Sequence, residues 1–196
     1  MKPLLQAIKE NLLVGSEGWG NRSAEDILGK PAFAAVAEDL EKLSLKELLR
    51  LFHALPAPDL ESLNGEYDAR VLEVGFFFPV ANWITHNVFG PGRWLGKAFI
   101  PGGGGYNLFA DHATVVRRTR KMDTRVKASA FDGRPSFCLD YKAHNRFPVS
   151  TMRDEIRMVN SEFFLGLGYM TAGGGPANPA PFVMTGKPRP LEGAGG

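Results

Sequence analysis

Hydrophobic residues follow a helical spacing over residues 1–60 of this chain. Two predicted helices rest on the sets Leu4, Leu5, Ile8, Leu12 and Phe33, Val36, Leu40, Leu43, the second of which follows Pro31. Proline is favoured in a first helical turn, where its missing N–H leaves no bond unmade. Recurrence every three to four residues places each set on one face, so each helix is predicted to have one apolar side.

A third helix is predicted to begin at Ser44. The serine hydroxyl and the Glu47 side chain form the pattern of a capping box, in which each bonds a free backbone amide of the first turn. The apolar face of this helix comprises Leu45, Leu48, Leu49, Phe52 and Leu55. Pro56 then ends it, because proline cannot donate the next backbone hydrogen bond.

After Leu63 the hydrophobic period falls to two, which is the spacing of half-buried strands. The predicted strands cover residues 67–71, 93–100, 105–110, 113–118, 125–130, 137–141, 152–159, 162–170 and 181–186. Sequential short strands with tight turns favour an antiparallel arrangement, because a parallel sheet needs a helix at each crossover. The predicted fold is mainly β with α: a helical segment (1–60) packed on an antiparallel up-and-down β-barrel of about eight to nine strands (61–188), then a flexible tail (189–196).

The glycine-rich stretch GRWLGKAFIPGGGGYNLF, residues 92–109, has two interpretations. A phosphate loop needs a lysine and a Ser or Thr after its glycines, at the start of a helix. Here Lys97 precedes the glycines and a strand-like segment follows them, so we predict a wide turn between two strands. Strict alternation from Trp94 would place Lys97 on the outer face if the tryptophan faces the interior.

Composition narrows the function classes. The chain has 196 residues, a formal net charge of +2 and one short basic run at 117–121, which argues against nucleic acid as a partner. A single cysteine, Cys138, excludes an intramolecular disulfide and is typical of a reducing compartment. No stretch is apolar for long enough to span a membrane, and the N-terminus becomes polar too early for a secretory signal. We therefore predict a cytoplasmic protein.

Two segments resemble a known family. Leu63-Asn64-Gly65-Glu66-Tyr67 and, after about twenty residues, Arg93-Trp94-Leu95-Gly96-Lys97-Ala98-Phe99 are similar to the GXWXG-type domain and the companion domain of unknown function usually fused to it. The resemblance continues through 139–141, 154–157, 164–166 and 181–184. Tyr67 stands where the family name requires tryptophan, and residues 1–60 lie outside the match. More broadly, the resemblance implies a calycin, lipocalin-like barrel that holds an apolar ligand.

Alternation allows several large side chains to face the barrel interior. The predicted ligand-binding residues are Tyr67, Trp83, Trp94, Ile156, Met158 and Tyr169. A barrel of about eight strands encloses room for its own side chains or for one small ligand, so the same residues also fit a filled core. The apolar connection 76–91, which contains Trp83, is too long for a simple hairpin and is a candidate lid.

The candidate catalytic residues are Asp154, Tyr141 and His86. Asp154 shares a strand face with Ile156 and Met158, and a carboxylate there is costly unless it is paired or hydrogen-bonded. Such a group is a candidate general base, although a carboxylate that fixes a structural arginine is the commoner case. The four histidines show no metal-binding spacing, so we predict neither a metal nor a cofactor.

Three functions remain open. The first is binding of a small hydrophobic molecule inside the barrel. The second is a cofactor-free isomerase or cyclase that acts on an apolar substrate in the same cavity. The third is an interaction module whose helical segment binds a partner or a second copy of the chain, which an exposed apolar stripe on the third helix would favour.

Overall fold

A computed structural model of the protein describes residues 19–74, 92–111 and 115–192. In these ranges three α-helices come first: Ala24–Leu28 (α1), Ala37–Glu41 (α2) and Leu45–Ala54 (α3). The strands that follow are Gly65–Val71 (β1), Arg93–Phe99 (β2), Gly105–Ala110 (β3), Val116–Ala128 (β4), Pro135–Asp140 (β5), Met152–Asn160 (β6), Phe163–Met170 (β7) and Ala180–Arg189 (β8). Short 3-10 helices lie at 32–34, 149–151, 171–173 and 175–177.

The eight strands form a closed antiparallel barrel. Each strand pairs with the next in the sequence, and β8 closes the barrel by pairing with β1. The predicted fold class is confirmed, and so is the turn between β2 and β3, where Gly102, Gly103 and Gly104 all adopt positive φ. Such backbone angles are open to glycine at little cost, so these three glycines allow the chain to make the hairpin turn.

Residues 116–118 and 125–128, from two predicted strands, are parts of one long strand, β4, whereas residues 113 and 114 lie outside the described residues. The first half of β4 pairs with β3 up to Met122, and the second half pairs with β5 from Asp123 onward. Arg120 has a φ of 59° where the register with β3 shifts. Pairing with two neighbours thus keeps the strand continuous across the residues between the two predicted strands.

The helical segment differs from its prediction in two ways. α1 was missed, because its five residues are too few to show a period. The predicted helix after Pro31 is instead a 3-10 turn at 32–34 followed by α2, with Ala35 and Val36 extended between them. As a result Phe33 is exposed (84%) rather than on a buried face. The predicted helix at residues 4–12 lies outside the described residues.

The third predicted helix is confirmed as α3. Its capping box is present, since the Ser44 hydroxyl accepts from the Glu47 amide while the Glu47 carboxylate accepts from the Ser44 amide. Leu48, Leu49 and Phe52 are buried in a cluster with residues of the outer barrel face, including Leu165, Leu167 and Val183 of β7 and β8. The apolar stripe of α3 therefore packs on the barrel and is not exposed.

A second cluster fills the barrel interior. Its buried members are Leu63, Tyr67, Phe99, Met122, Phe137, Leu139, Tyr141, Val149, Ile156, Phe164, Phe182 and Met184. Edge-to-face ring pairs at 5.4–6.0 Å link Tyr67 to Phe99 and Phe164, and Phe99 to Phe137. Such pairs add to the stability gained from burial alone.

The C-terminal strand is longer than predicted. β8 extends to Arg189, and beyond it Glu192 Oε2 lies 2.7 Å from Arg118 Nη2 of β4. Arg189 and Glu192 of the predicted flexible tail thus contact the barrel, whereas 193–196 lie outside the described residues. In the part of the chain that the structure describes, no helix is long and apolar enough to cross a membrane.

Candidate functional site: a buried polar cluster inside the barrel

Four polar side chains meet inside the barrel. Lys97 comes from β2, Asn107 from β3, Tyr141 follows the last residue of β5, and Asp154 belongs to β6. All four are buried, with at most 4% of each residue exposed. Buried polar groups are costly unless they bond one another, so the hydrogen bonds of this group decide whether it is stable.

The Lys97 ammonium donates three hydrogen bonds. Its Nζ lies 2.6 Å from Asp154 Oδ2, 2.8 Å from the Tyr141 hydroxyl and 2.9 Å from Asn107 Oδ1. An ammonium has three protons and no acceptor, so these three partners use its whole donor capacity. The cluster therefore contains a charged lysine paired with a carboxylate, and both side chains are almost completely buried.

The remaining groups of the cluster complete a network. The Tyr141 hydroxyl donates to Asp154 Oδ2 at 2.7 Å and accepts from Asn107 Nδ2 at 3.0 Å. Asn107 Oδ1 also accepts from the Trp94 indole N–H at 3.1 Å. Asp154 Oδ2 thus receives two hydrogen bonds, while among the described residues none is made to its Oδ1. One carboxylate oxygen is left with acceptor capacity for another group.

A β-bulge brings Lys97 into this cluster. Trp94 pairs with Phe109 and Gly96 pairs with Leu108, so Leu95 is an extra residue in β2. A bulge shifts the alternation of a strand by one position, and Trp94 and Lys97 consequently face the same side. The prediction that Lys97 lies outside when Trp94 lies inside is therefore wrong.

Two glycines of β7 make room for the site. A Cβ on Gly168 would lie 2.8 Å from Asp154 Oδ1, and a Cβ on Gly166 would lie 2.0 Å from the Phe182 ring. Any larger residue would displace the carboxylate or the ring. These two glycines thus shape the wall of the barrel next to β6.

Aromatic rings surround the lysine. Its Nζ lies 5.1 Å from the Trp94 ring centroid, 5.2 Å from that of Phe182 and 5.5 Å from that of Tyr141. The negative face of an aromatic ring attracts a cation, and more strongly where water is excluded. The rings therefore offset part of the cost of burying a positive charge at this point.

Burial and charge alter the acidity of the two most enclosed groups. Burial lowers the pKa of Lys97, although the Asp154 carboxylate opposes the shift. Burial and the same carboxylate raise the pKa of Tyr141 well above its ordinary value. The tyrosine hydroxyl consequently stays protonated, while Lys97 gives up its proton more readily than an exposed lysine does.

The predicted site residues other than Tyr169 fall into three groups. Asp154 and Tyr141 lie in the cluster, and Trp94 donates to it. Tyr67, Ile156 and Met158 belong to the interior cluster of side chains. Trp83 and His86 lie outside the described residues.

Tyr169 does not face the interior as predicted. It is paired with Arg153 on the outer face of the barrel and its ring meets Phe131 edge-on at 5.4 Å. The inner face of β7 instead carries Phe164, Gly166, Gly168 and Met170. Both faces of β7 are apolar because the helical segment covers the outer one. The sequence of β7 therefore shows no alternation of polar and apolar residues that would indicate which face is the inner one.

Sequence reasoning missed Lys97 and Asn107 as site residues. Alternation along β3 groups Asn107 with other residues of one face, but it does not show whether that face is the inner one. The inward position of Lys97 depends on the bulge at Leu95, which simple alternation does not predict. The short spacing of Trp94, Gly96 and Lys97 was the available signal, since a glycine inside a strand often marks a bulge.

A second polar cluster lies outside the barrel, under α3. The Arg157 guanidinium, fully buried, donates to both carboxylate oxygens of Asp132 at 2.7 Å and to the Phe52 carbonyl at 2.6 Å. His53 Nδ1 lies 2.9 Å from Asp132 Oδ2, and the His53 ring stacks on Trp19 at 5.0 Å. These contacts join the helical segment to the barrel. No group of three or more His, Cys, Asp or Glu placed to hold a metal occurs among the residues described.

Comparisons with known proteins add support for the fold. No protein-family model and no curated protein matches the chain. A crystal structure of a protein from Thermomonospora curvata is similar, with a TM-score of 0.50 and 14% sequence identity over 70% of this chain and 83% of that chain. At this identity the similarity concerns the fold alone. The closed eight-stranded barrel with its N-terminal helices fits a calycin-like fold, and the resemblance to the GXWXG-type domain stays a prediction.

Proposed function

We propose that the barrel binds a small, mostly apolar molecule whose one polar group meets the Lys97–Asp154 pair. The observation that carries this proposal is a buried ion pair inside an aromatic interior, in which Lys97 uses all its donors while Asp154 Oδ1 keeps acceptor capacity. Ligand sites are typically apolar cavities with a few convergent polar groups of perturbed pKa. The polar cluster fits this description, because Lys97 and Tyr141 have shifted pKa values and lie among apolar side chains.

Stability alone is a weak explanation for such a pair. Removing two charges from water costs about as much as their attraction returns, and apolar residues of similar volume often serve a core as well or better. A β-barrel core has no need of a lysine. A polar group that orients a ligand is a reason to keep one there.

The half-buried side chains next to the cluster indicate where a ligand would sit. Trp94, Met152 and Met170 pack against the interior cluster but keep partial exposure. Deeper in the barrel, by contrast, Phe99, Phe137 and Ile156 are at most 1% exposed and fill the interior. A ligand would therefore occupy the end of the barrel where β6 begins and β7 ends, above Asp154.

The binding proposal is tested with the neutral fluorophore N-phenyl-1-naphthylamine. We expect the wild-type protein to bind it and Met170→Trp, which fills the proposed space, to bind it at least about tenfold more weakly, a loss of about 1.4 kcal/mol. Val126→Trp is the control, because Val126 is exposed on β4. Equal binding by the three proteins, or none by the wild type, contradicts the proposal.

The natural ligand is sought by native mass spectrometry of protein purified from its own host. Denaturation then releases any bound molecule for identification. A stoichiometric apolar molecule with one polar group agrees with the proposal, whereas a bound polyanion or sugar contradicts it.

A second candidate function is proton transfer by a cofactor-free isomerase or cyclase. The observation that favours it is the 2.7 Å hydrogen bond between the Tyr141 hydroxyl and Asp154, two residues that are at most 3% exposed. A carboxylate and a phenol at this distance can remove and return a proton. The molecule released from the protein, returned to it in D₂O, would gain deuterium at carbon with the wild type and not with Asp154→Asn.

The interaction hypothesis has no such support among the described residues. The apolar face of α3 that it would use is buried against the barrel.

A further inference from the structure

Lys97 has the chemistry of a nucleophile as well as of a binding group. A lysine in apolar surroundings loses its proton more readily, and the neutral amine attacks carbonyl carbons. Burial lowers the pKa of Lys97, and its Nζ lies in the barrel interior beside a carboxylate and a phenol. Both neighbours can carry protons during such a reaction.

We propose that Lys97 forms an imine with an aldehyde or ketone group of the bound molecule. This inference rests on the proposed function, because it takes the ligand to enter the barrel, and it assigns that ligand's polar group to a chemical class. It also assigns to Lys97 the role of covalent attachment point rather than hydrogen-bond donor alone.

The reaction balances within the site. The Lys97 ammonium passes one proton to Asp154, and the neutral amine attacks the carbonyl carbon to form a C–N bond. The carbonyl oxygen receives protons from Asp154 and the new ammonium and leaves as water when the C–O bond breaks. The product is a protonated imine beside the Asp154 carboxylate, so the site holds the same two charges before and after.

The surroundings of Nζ fit the product as well as the free lysine. A protonated imine places its positive charge where the ammonium was, among three rings whose centroids lie 5.1–5.5 Å from Nζ. The carboxylate 2.6 Å away becomes its counter-ion. A group that stabilises charge without rearranging is an effective catalyst for the step that forms it.

Imine formation leaves no acceptor of the network without a donor. The nitrogen keeps one N–H of its three, which can remain on Asp154. Asn107 Oδ1 still accepts from Trp94, and the Tyr141 hydroxyl still accepts from Asn107 Nδ2. The two lost lysine bonds are therefore covered by donors already in place, which removes the main cost of changing the nitrogen.

The test uses 3-phenylpropanal as probe and sodium cyanoborohydride to trap the imine. Peptide mapping of the reduced protein locates the modified lysine. At neutral pH and short reaction times we expect Lys97 to react at least about tenfold faster than exposed lysines such as Lys127, equivalent to about 1.4 kcal/mol in the barrier. The alcohol 3-phenylpropan-1-ol, which cannot form an imine, should slow labelling of Lys97 but not of Lys127.

Matched variants separate the nucleophile from the charge. Lys97→Arg keeps a cation but has no reactive amine, so the fast-reacting site should disappear, whereas Lys127→Arg should leave it unchanged. Circular dichroism checks that each variant is folded. If Lys97→Arg does not fold, labelling of wild-type Lys97 with and without the competing alcohol still decides the question.

The outcomes distinguish this inference from the binding proposal. If the alcohol displaces N-phenyl-1-naphthylamine but Lys97 is labelled no faster than Lys127, the imine is excluded and binding stands. If the wild type does not bind the fluorophore and Lys97 stays unlabelled, both proposals fail. Labelling of Cys138 is not expected, because burial and the nearby Glu155 raise the pKa of its thiol to about 12.

Discussion

At the scale of single residues, the energy of the interior site depends on each charge keeping its partner. Asp154 accepts from Lys97 and Tyr141, and Lys97 has no bond to spare. Removing one partner of a buried pair leaves the other charged in apolar surroundings, which is costlier than removing both. The pair therefore behaves as a unit.

We expect the double variant Lys97→Met/Asp154→Asn to lose less unfolding free energy than the two single variants lose together. Each single substitution should lower the free energy of unfolding by about 3–5 kcal/mol, because each strands a buried polar group. The double variant should lose clearly less than the two losses added. Urea unfolding of the four proteins measures the coupling, and additive losses would show that the two groups do not depend on each other.

The glycine opposite Asp154 gives a second prediction at this scale. Gly168→Ala places a Cβ 2.8 Å from Asp154 Oδ1 and should cost about 1–3 kcal/mol of unfolding free energy, as overpacking does. It should also weaken N-phenyl-1-naphthylamine binding by moving the carboxylate.

The control is Gly173→Ala, whose added Cβ meets only Met170 at 3.4 Å. It should change the unfolding free energy by less than about 0.5 kcal/mol. Equal effects of the two substitutions would mean that the close approach to Asp154 is unimportant.

At the scale of elements, α3 is attached to the barrel by one apolar face. Phe52 is completely buried there, and its ring lies 4.4 Å from the Arg157 guanidinium. The helix also starts at a complete capping box, so the hydrogen bonds of Ser44 and Glu47 define its first turn. Packing of this face, more than helix propensity, holds so short a helix in place.

We expect Phe52→Ala to lower the free energy of unfolding by about 3–5 kcal/mol, because it opens a cavity between helix and barrel. Phe33→Ala makes the same chemical change at an exposed position and should alter it by less than about 0.5 kcal/mol. Chemical unfolding of both variants provides the comparison. Similar losses from both substitutions would contradict the packing of α3 on the barrel.

At the scale of the whole molecule, a buried ion pair joins the helical segment to the barrel. The side chains of Arg157 and Asp132 are both fully buried, and Arg157 also donates to the Phe52 carbonyl at the end of α3. Burial opposes ionisation of Asp132, but the hydrogen bonds and charge of Arg157 outweigh it and lower the pKa of this carboxyl. Folding stability therefore depends on pH through this residue.

We expect Asp132→Asn to be much less stable than the wild type at neutral pH and closer to it in acid. The folded-state pKa of Asp132 lies below its unfolded value, so its contribution is complete above about pH 4 and is lost as pH falls through the folded-state pKa. Urea midpoints at about pH 7 and pH 3 measure this difference.

Asp59→Asn is the matched control, because Asp59 is exposed. Its midpoints should follow those of the wild type at both values of pH. A constant difference between Asp132→Asn and the wild type would show that ionisation of Asp132 is not what the ion pair contributes.

Local sequence patterns by themselves determined several helices, strands and turns of this protein. The change of period near residue 60, the capping box at Ser44 and the glycine turn at 102–104 each depend on neighbouring residues, and all three recur in the structure. Asp154 was also correctly separated from Arg153 and Glu155 by alternation, because β6 carries no bulge between them.

Tertiary structure alone decided the composition of the site. The bulge at Leu95 depends on how β2 pairs with β3, and it reverses the side on which Lys97 lies. The outward position of Tyr169 depends on the helices that cover β7, which make both of its faces apolar. Alternation shows which residues share a face only where strand pairing is regular, and it shows which face is buried only where the other face is polar. The first condition fails at Lys97, which follows a bulge. The second fails at Tyr169, because both faces of β7 are buried.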